Sequence, residues 1–194
     1  MSYSIGLIGG IASGKSTVLK MFRELGIECF SADEIAREIV QINEPAYLEI
    51  IAHLGKDYLL PNQELDRTKI RKKMLDDKDF KVWLEQLTHP MIRARLQEAK
   101  NHAQSPYCVL EIPLLKNKAD YQLDLVLLVH TTPKRQKEFL KERGLTDTEI
   151  TKILQAQIPE PIRLELADEI IDNTKSFDEL KKQIQKLHQN YLMK

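Results

Sequence analysis

The sequence is poor in cysteine and carries no excess of either charge. Its two cysteines, Cys29 and Cys108, lie in separate apolar stretches, and neither belongs to a CxxC or Cys/His pair with the spacing of a zinc site. The 29 lysines and arginines are balanced by 29 aspartates and glutamates, so the net charge attracts neither nucleic acid nor an anionic membrane. We therefore expect two reduced thiols in the core, and neither a disulfide bond nor a zinc site.

The sequence also has no long apolar run. Residues 1–17 lack the basic region and the extended apolar stretch of a secretory signal, and no run approaches the roughly 20 residues of a membrane-spanning helix. Internal repeats and low-complexity linkers are missing as well. These absences favour a cytoplasmic protein that forms one domain over residues 1–194, a length that buries about 70% of the surface of the unfolded chain.

Short apolar runs and helical periodicity alternate along the chain. Five runs have the length and the flanking residues of buried β-strands, and they cover residues 4–8, 28–31, 107–112, 123–129 and 169–171. Residues 34–40 and 46–54 instead show helical spacing, and residues 65–100 predict two or three further helices with little strand character. The first strand, a glycine-rich loop, a helix that begins near Lys15 and the second strand form one unit, which implies a parallel pair of strands with a right-handed crossover.

Several helix ends are marked by characteristic residues. Gly26 stands where the first helix is expected to stop, because glycine readily adopts the left-handed conformation that follows a helix. Thr146 and Glu149 have the spacing of a capping box, and so do Ser176 and Glu179. Each pair predicts the start of a helix.

The strongest motif is the stretch GGIASGKST, residues 9–17, which we call the phosphate loop. It fits GxxxxGK[ST] and lies between a predicted strand and a predicted helix, the context that this motif requires. Glycines let consecutive backbone N–H groups turn toward a phosphate, and the helix N-terminus adds a positive dipole. Lys15 is predicted to reach the β- and γ-phosphates of a nucleoside triphosphate, and Ser16 to bind Mg²⁺. The predicted nucleotide-binding residues of the loop are Gly9, Gly10, Ala12, Ser13, Gly14, Lys15, Ser16 and Thr17.

A GTPase and a hydrolytic ATPase are two alternatives for such a loop. Asn117, Lys118 and Asp120 fit the NKxD pattern that reads guanine. The match comes too early in the chain and no DxxG motif precedes it, so we interpret it as a coincidence. A mechanical or assembly ATPase would end a strand in Asp-Glu, whereas the run 107–112 carries only Glu111. Glu111 either orients magnesium-bound water or is a paired structural glutamate, and neither motif is evidence for hydrolysis.

A small-molecule kinase is the third alternative, and Asp33 favours it. This carboxylate follows the second predicted strand, and the carboxyl ends of parallel strands converge beside the nucleotide loop. Asp33 could therefore accept the proton of an acceptor hydroxyl whose oxygen attacks the γ-phosphate. Its position is equally consistent with an N-cap of the helix that follows.

Five short motifs occur in an order and spacing that resemble the dephospho-coenzyme A kinase family. They are GLIGGIASGKST, SADEIAR, LTHPMI, EIPLL and ADEIIDN, and the similarity extends over nearly the whole chain. The resemblance implies a P-loop NTPase fold of the α/β class, with three α/β/α layers, a five-stranded parallel sheet, a helical substrate-binding insertion and a mobile lid. It implies a core of residues 1–33, 105–132 and 166–194, an insertion at about 34–104 and a lid at about 133–165.

The same resemblance implies the reaction and its cofactors. The γ-phosphoryl group of ATP would pass to the 3′-hydroxyl of dephospho-coenzyme A, giving coenzyme A and ADP in the last step of coenzyme A synthesis. Mg²⁺ would be the metal, and no nucleic acid, membrane or obligate protein partner is expected. Two alternatives stay open: another small-molecule P-loop kinase, acting on a nucleoside, a nucleotide or a metabolite, and a non-catalytic ATP-binding module.

Five residues outside the phosphate loop match the family's site. The resemblance places Asp33 near the acceptor hydroxyl as a catalytic residue, together with the lysine of the phosphate loop. Arg37, one helical turn further on, would pair with a substrate phosphate or with Asp33 itself. His89 is either a substrate contact or a capping or packing residue, and Arg143 is a catalytic lid arginine. Asn173 lies beside the adenine or serves as a turn residue.

The lid segment departs from the family pattern. The resemblance implies an arginine where Phe139 stands, with Lys137 and Lys141 nearby. Cations that close over the transferring phosphoryl group stabilise its spread negative charge and exclude water. The number of such cations therefore matters for catalysis. The sequence leaves open which of them join Arg143.

Overall fold

The computed structural model describes residues 3–194. The first two residues of the stretch considered as a secretory signal, and of the predicted core range 1–33, therefore lie outside the described residues. The chain divides into two compact units. The helical unit is Ala32–Glu98, and the sheet unit contains the described residues through Ser31 together with Ala99–Lys194. The predicted single domain, with its division into core, insertion and lid, stays a prediction.

A parallel sheet of five strands organises the sheet unit. Its strands are β1 (Tyr3–Gly9), β2 (Glu28–Ser31), β3 (Tyr107–Glu111), β4 (Leu125–His130) and β5 (Glu169–Asp172). They lie in the order β2-β3-β1-β4-β5, and each pair of neighbours is parallel. The predicted three-layer α/β fold with a five-stranded parallel sheet is confirmed.

Strand β1 occupies the middle of the sheet, and its carboxyl end leads into the phosphate loop. Ile5 pairs in register with Val109 of β3 on one side and with Leu125 of β4 on the other. A strand that is covered on both faces has a continuous apolar sequence, and residues 4–10 are all buried. Because both edges of β1 are hydrogen-bonded, the start of the phosphate loop is attached to the central strand of the sheet.

Helices make up most of the remaining chain. The described α-helices are α1 (Lys15–Glu24), α2 (Ala32–Glu38), α3 (Pro45–Leu54), α4 (Arg67–Asp76), α5 (Lys78–His102), α6 (Pro133–Glu142), α7 (Asp147–Ala156), α8 (Glu160–Leu166) and α9 (Phe177–Tyr191). Two short 3-10 turns cover Lys56–Tyr58 and Lys118–Tyr121. Within residues 3–194, none of the helices is both long and apolar enough to cross a bilayer.

The predicted helix boundaries are confirmed where capping residues marked them. The Thr146 side chain accepts the N–H of Glu149, and the Glu149 carboxylate accepts the N–H of Thr146, so α7 begins with a complete capping box. Ser176 and Glu179 form the same arrangement at the start of α9. Gly26 adopts a φ of 79°, in the left-handed region, just after α1 ends. These ends are fixed by hydrogen bonds within four residues, which explains why they are readable from sequence.

Helix α8 is not predicted by the sequence patterns. Its first turn contains Pro161, which lacks a backbone N–H. The first N–H groups of a helix have no partner inside the helix, so proline is tolerated there although it suggests a break. The helix matters for the site because it carries the buried Arg163.

The core of the sheet unit lies between the sheet and helices α1 and α9. Val18 and Phe22 of α1 and Ile184 and Tyr191 of α9 are all at most 2% exposed. The edge of one ring meets the other where Phe22 contacts Tyr107, with ring centroids 6.2 Å apart. Burial of these side chains anchors α1, whose first turn belongs to the phosphate loop.

Both cysteines belong to this unit. Cys29 and Cys108 are buried, and neither forms a disulfide bond. Burial raises the pKa of the Cys108 thiol to about 11, because an apolar environment disfavours the thiolate. The thiol is therefore protonated and unreactive at neutral pH.

The helical unit has its own small core. Tyr47, Ile50, Ile70, Phe80 and Leu84 are buried together. The periodic stretch after residue 65 forms two helices, α4 and α5, and α5 continues through Pro90.

Candidate active site

The phosphate loop connects β1 to α1 through a tight turn. The N–H of Ser13 donates to the carbonyl oxygen of Gly10 at 3.2 Å, and Ala12 adopts a φ of 54°. Gly14, the residue before α1, has a φ of 95°, which favours glycine. A Cβ at Gly14 would also collide with the side-chain amide of Asn173. Glycine is thus required at position 14 for both its conformation and its size.

Lys15 folds back over the loop. Its Nζ donates to the carbonyl oxygen of Gly9 at 3.0 Å and to that of Gly10 at 2.9 Å. Its ammonium group therefore lies at the loop, next to the positive end of the α1 dipole. The first turn of α1 contains no acidic side chain that would neutralise this charge. The arrangement attracts an anion with several negative charges.

Gly9 and Gly10 leave no room for larger residues. A Cβ at Gly9 would lie 2.6 Å from Ser13 Oγ and 2.9 Å from the carbonyl oxygen of Val129. The buried Ser13 Oγ has no hydrogen-bond partner in the described structure. It lines a cavity of about 10 Å³ with Thr131 and Arg163. An orphaned hydroxyl beneath a tight loop is a polar group that bound solvent or ligand can satisfy.

Asn173 supports the phosphate loop through a side-chain hydrogen bond. Its Nδ2 donates to the carbonyl oxygen of Ser13 at 2.8 Å. Its own backbone is held in turn, because its N–H donates to His130 and its carbonyl accepts from the Arg135 guanidinium at 3.1 Å. The structure therefore brings Asn173 to the phosphate loop through Ser13. Its predicted contact with adenine stays a prediction.

Two glutamines and one arginine near the loop were not singled out by the sequence patterns. Gln136 and Gln157 hydrogen-bond to the backbone of Ile11. Arg163 is buried, and its Nη1 donates to the carbonyl oxygen of Ile158 at 2.6 Å. Burial lowers the pKa of Arg163, but arginine starts so high that the guanidinium stays charged at neutral pH. No motif in the sequence marks these three residues, since each meets the loop only through the tertiary fold.

Glu111 ends β3, the strand beside β1. Its position is level with Leu7, two residues before the phosphate loop begins. The hydroxyl of Ser31, a residue only 3% exposed, donates to Glu111 Oε2 at 2.9 Å. The carboxylate is therefore paired and oriented. This pairing leaves its second oxygen atom as a possible acceptor.

The remaining predicted site residues lie on helices other than α1 or at the end of one. Asp33 is exposed in the first turn of α2, which begins at Ala32, so Asp33 lies inside the helix rather than at its N-cap. Arg37 is exposed in the last turn of the same helix. His89 is exposed in α5, and Arg143 is the exposed C-cap of α6. None of the phosphate-loop hydrogen bonds described above involves these four residues, and their roles stay predictions.

The NKxD match has a local explanation. Asn117 Oδ1 accepts the N–H of Ala119 at 2.9 Å and so starts a 3-10 turn. Lys118 Nζ lies 3.2 Å from the Asp168 carboxylate, in an exposed ion pair. These contacts support the interpretation that the match with a guanine-binding motif is a coincidence.

The fold and the loop define a class of protein. A central parallel strand, a GxxxxGKS loop with its lysine over the turn, and a helix N-terminus free of acidic side chains are the features of P-loop nucleotide-binding enzymes. The family model for dephospho-CoA kinase matches residues 3–179. The chain belongs to the dephospho-CoA kinase family.

Individual relatives agree with this assignment. A dephospho-CoA kinase of Legionella pneumophila strain Paris is 44% identical over 194 residues, which is 99% of this chain and 96% of the relative. The crystal structure of a Thermus thermophilus protein has a TM-score of 0.80 at 26% identity, with 97% of both chains covered. The dephospho-CoA kinase from Campylobacter jejuni has a TM-score of 0.71 at 29% identity, covering 98% of this chain and 97% of that one. The predicted family, fold and kinase activity are confirmed, as is ATP as the phosphoryl donor.

Proposed function

We propose that the protein transfers the γ-phosphoryl group of ATP to the 3′-hydroxyl of dephospho-coenzyme A, giving coenzyme A and ADP. The observation that carries the proposal is the phosphate loop of a chain in this family: glycines at positions 9, 10 and 14 without room for a Cβ, and an ammonium group over the turn. A triphosphate matches this set of donors. Its negatively charged oxygens would accept hydrogen bonds from the loop N–H groups and from Lys15. They would also lie at the positive end of the α1 dipole.

The acceptor side of the reaction is assigned to residues outside the loop. Asp33 would accept the proton of the 3′-hydroxyl. The hydroxyl oxygen would bond to the γ-phosphorus while the bond between the γ-phosphorus and the β-phosphate oxygen breaks. Arg37 and His89 would bind the substrate. Arg143 would close over the spread negative charge. Support for these roles comes from their match with the family motifs.

Mg²⁺ is part of the proposal. Ser16 would hold the ion through its hydroxyl, which is exposed in the first turn of α1. The metal would neutralise charge on the β- and γ-phosphate oxygens. Glu111, held by Ser31, is suited to orient a water molecule of the magnesium shell. Oxygen donors of this kind are those that Mg²⁺ prefers.

We also propose that the enzyme acts in the cytoplasm on a small-molecule substrate. Two buried thiols that form no disulfide bond are typical of proteins in a reducing compartment. No nucleic acid, membrane or obligate protein partner is part of the proposed reaction.

The reaction is tested by incubating the purified protein with ATP, Mg²⁺ and dephospho-coenzyme A. We expect acceptor-dependent release of ADP and formation of coenzyme A. Coenzyme A itself is the matched control acceptor, because its 3′-position already carries a phosphate and it should release no ADP. ADP release with nucleosides or nucleotides instead would indicate a different kinase. Tight ATP binding without any acceptor-dependent turnover would indicate a non-catalytic module.

Replacement of Glu111 by glutamine should raise the Mg²⁺ concentration needed for half-maximal activity by about fivefold. The amide keeps the shape of the side chain and removes the charge that orients the metal-bound water. The measurement is a magnesium titration of kcat at saturating ATP. Ser31→Ala, which only releases the carboxylate, should have a smaller effect in the same direction. A lower melting temperature with an unchanged magnesium requirement would instead identify Glu111 as a structural glutamate.

A further inference from the structure

Both polar backbone groups of Ile11 are held by glutamine side chains from the predicted lid segment. Gln136 Nε2, in α6, donates to the Ile11 carbonyl oxygen at 2.8 Å. The Ile11 N–H donates to Gln157 Oε1 at 3.1 Å, and Gln157 directly follows the last residue of α7. The partners lie 125 and 146 residues further along the chain. The turn of the phosphate loop is thus fixed from outside by two amides.

Gly10 makes this arrangement possible. A Cβ at position 10 would collide with Gln136 Nε2 and would lie 2.9 Å from Gln157 Oε1. Gly10 is not among the glycines with a positive φ, so the backbone conformation does not require it. The GxxxxGK[ST] pattern also accepts any residue directly after its first glycine. The glycine at position 10 is therefore explained by the space that the two glutamines occupy.

We propose that Gln136 and Gln157 are positioning residues for ATP. They act through the Ile11 peptide, which keeps residues 10–13 in the turn that directs the following N–H groups of the loop inward. A loop that holds this turn only part of the time binds ATP more weakly, in proportion to the competent fraction. The inference rests on the proposed function, because it assumes that the phosphate loop binds the nucleotide.

The same contacts divide the predicted lid. Gln136 lies near its beginning and Gln157 near its end, and both are attached to the loop. Arg143 and α7 lie between these two anchors. Closure over the phosphates is therefore left to the part of the lid between the anchors.

The first experiment replaces each glutamine by methionine, which keeps the length of the side chain and removes both hydrogen-bonding groups. We expect the Kd for ATP, measured by calorimetry without acceptor, to rise about fivefold in each variant, the effect of one neutral hydrogen bond. KM for ATP should rise in parallel while KM for dephospho-coenzyme A stays unchanged. Gln157 is only partly buried, so Gln157→Met folds even if the core substitution at Gln136 does not.

The matched control is Gln183→Met in α9. Gln183 makes the same pair of bonds to one backbone residue, accepting from the Asp172 N–H at 3.0 Å and donating to the Asp172 carbonyl at 2.9 Å. Gln183→Met removes both of these bonds where each loop variant removes one, so it should lower the melting temperature at least as much as they do and leave the Kd for ATP unchanged. If the two loop variants behaved like this control, with Kd values within twofold of the wild type, the positioning role would be wrong.

The second experiment uses the fact that one glutamine donates its hydrogen bond and the other accepts it. Gln136 must donate, so Gln136→Glu loses its bond, whereas Gln157 accepts, so Gln157→Glu keeps its bond. Both variants add the same negative charge beside the loop. We expect the Kd for ATP to rise at least fivefold more in Gln136→Glu. Equal Kd values in the two variants would mean that charge alone matters and would overturn the inference.

Failure of the proposed reaction would look different in these experiments. ATP binding is measured in the absence of acceptor, so it does not depend on which molecule receives the phosphoryl group. Wild-type protein that binds ATP but makes no coenzyme A would contradict the proposed acceptor. The comparison of the glutamine variants would still decide the positioning role.

Discussion

Replacement of Lys15 by alanine is expected to lower kcat by about 10²–10³ and to raise the Kd for ATP by about 10-fold. The ammonium group of Lys15 lies over the turn of the phosphate loop, within 3.0 Å of the carbonyl oxygens of Gly9 and Gly10. In the complex with ATP, this ammonium group would contact phosphate oxygens. Negative charge builds up on the leaving group as the γ-phosphoryl group departs, and the ammonium group would stabilise it. The loss is therefore larger in turnover than in binding.

The measurement combines calorimetry for ATP with a coupled assay for ADP release. Lys20→Ala is the matched control, because Lys20 belongs to the same helix, is 78% exposed and lies 3.9 Å from Glu24 in a surface ion pair of little energetic weight. It should leave both constants unchanged. A Lys15→Ala protein that kept wild-type affinity and turnover would exclude the phosphate loop as the site of phosphoryl transfer.

Replacement of Asp33 by asparagine should reduce kcat by about 10² or more and leave ATP binding nearly intact. Asparagine has the shape of aspartate but cannot take up the proton of the acceptor hydroxyl. Asp33 lies inside the first turn of α2 and is exposed, so removal of its charge should cost little stability. The effect should thus appear in turnover and not in the melting temperature.

Glu34→Gln provides the control for this experiment, because it removes the neighbouring carboxylate of the same helical turn. We expect it to retain wild-type turnover. If Asp33→Asn turned over normally, the carboxylate would serve only the helix terminus, where a negative charge interacts favourably with the dipole. If both variants lost activity equally, the total charge of the α2 terminus would matter rather than one proton acceptor.

The features that were predicted correctly are those that depend on neighbouring residues. The strands are short apolar runs, and the capping boxes of α7 and α9 are formed by residues three positions apart. The phosphate loop is likewise a local motif, so its glycines and its lysine are visible in nine consecutive residues. Local hydrogen bonds and periodicity are encoded where they act.

The contacts that hold the loop could not be predicted because their partners are distant in the chain. Asn173 meets the carbonyl of Ser13 across 160 residues. Only the order of the strands, with β5 outside β4 and β4 beside β1, brings these residues together. A glutamine or asparagine in a sequence carries no mark of the backbone group that it will bind.

The predicted lid segment shows how the residue at position 139 changes the set of nearby cations. The Arg135 guanidinium lies 5.7 Å from the ring centre of Phe139, where the family resemblance implies an arginine. Arg135 is also held by the Asn173 and Lys175 carbonyls, and Lys141 lies 2.8 Å from Asp147. Arg135 and Lys141 are therefore engaged in local contacts, and closure over the phosphates by Arg143, with or without the exposed Lys137, stays a prediction.

The hydrogen bond from Asn173 to Ser13 also bears on folding during synthesis. The phosphate loop leaves the ribosome 160 residues ahead of the side chain that donates to it. The loop therefore cannot reach its fully hydrogen-bonded conformation until that later segment has been translated. A nascent chain that is interrupted before Asn173 carries the motif but lacks this contact.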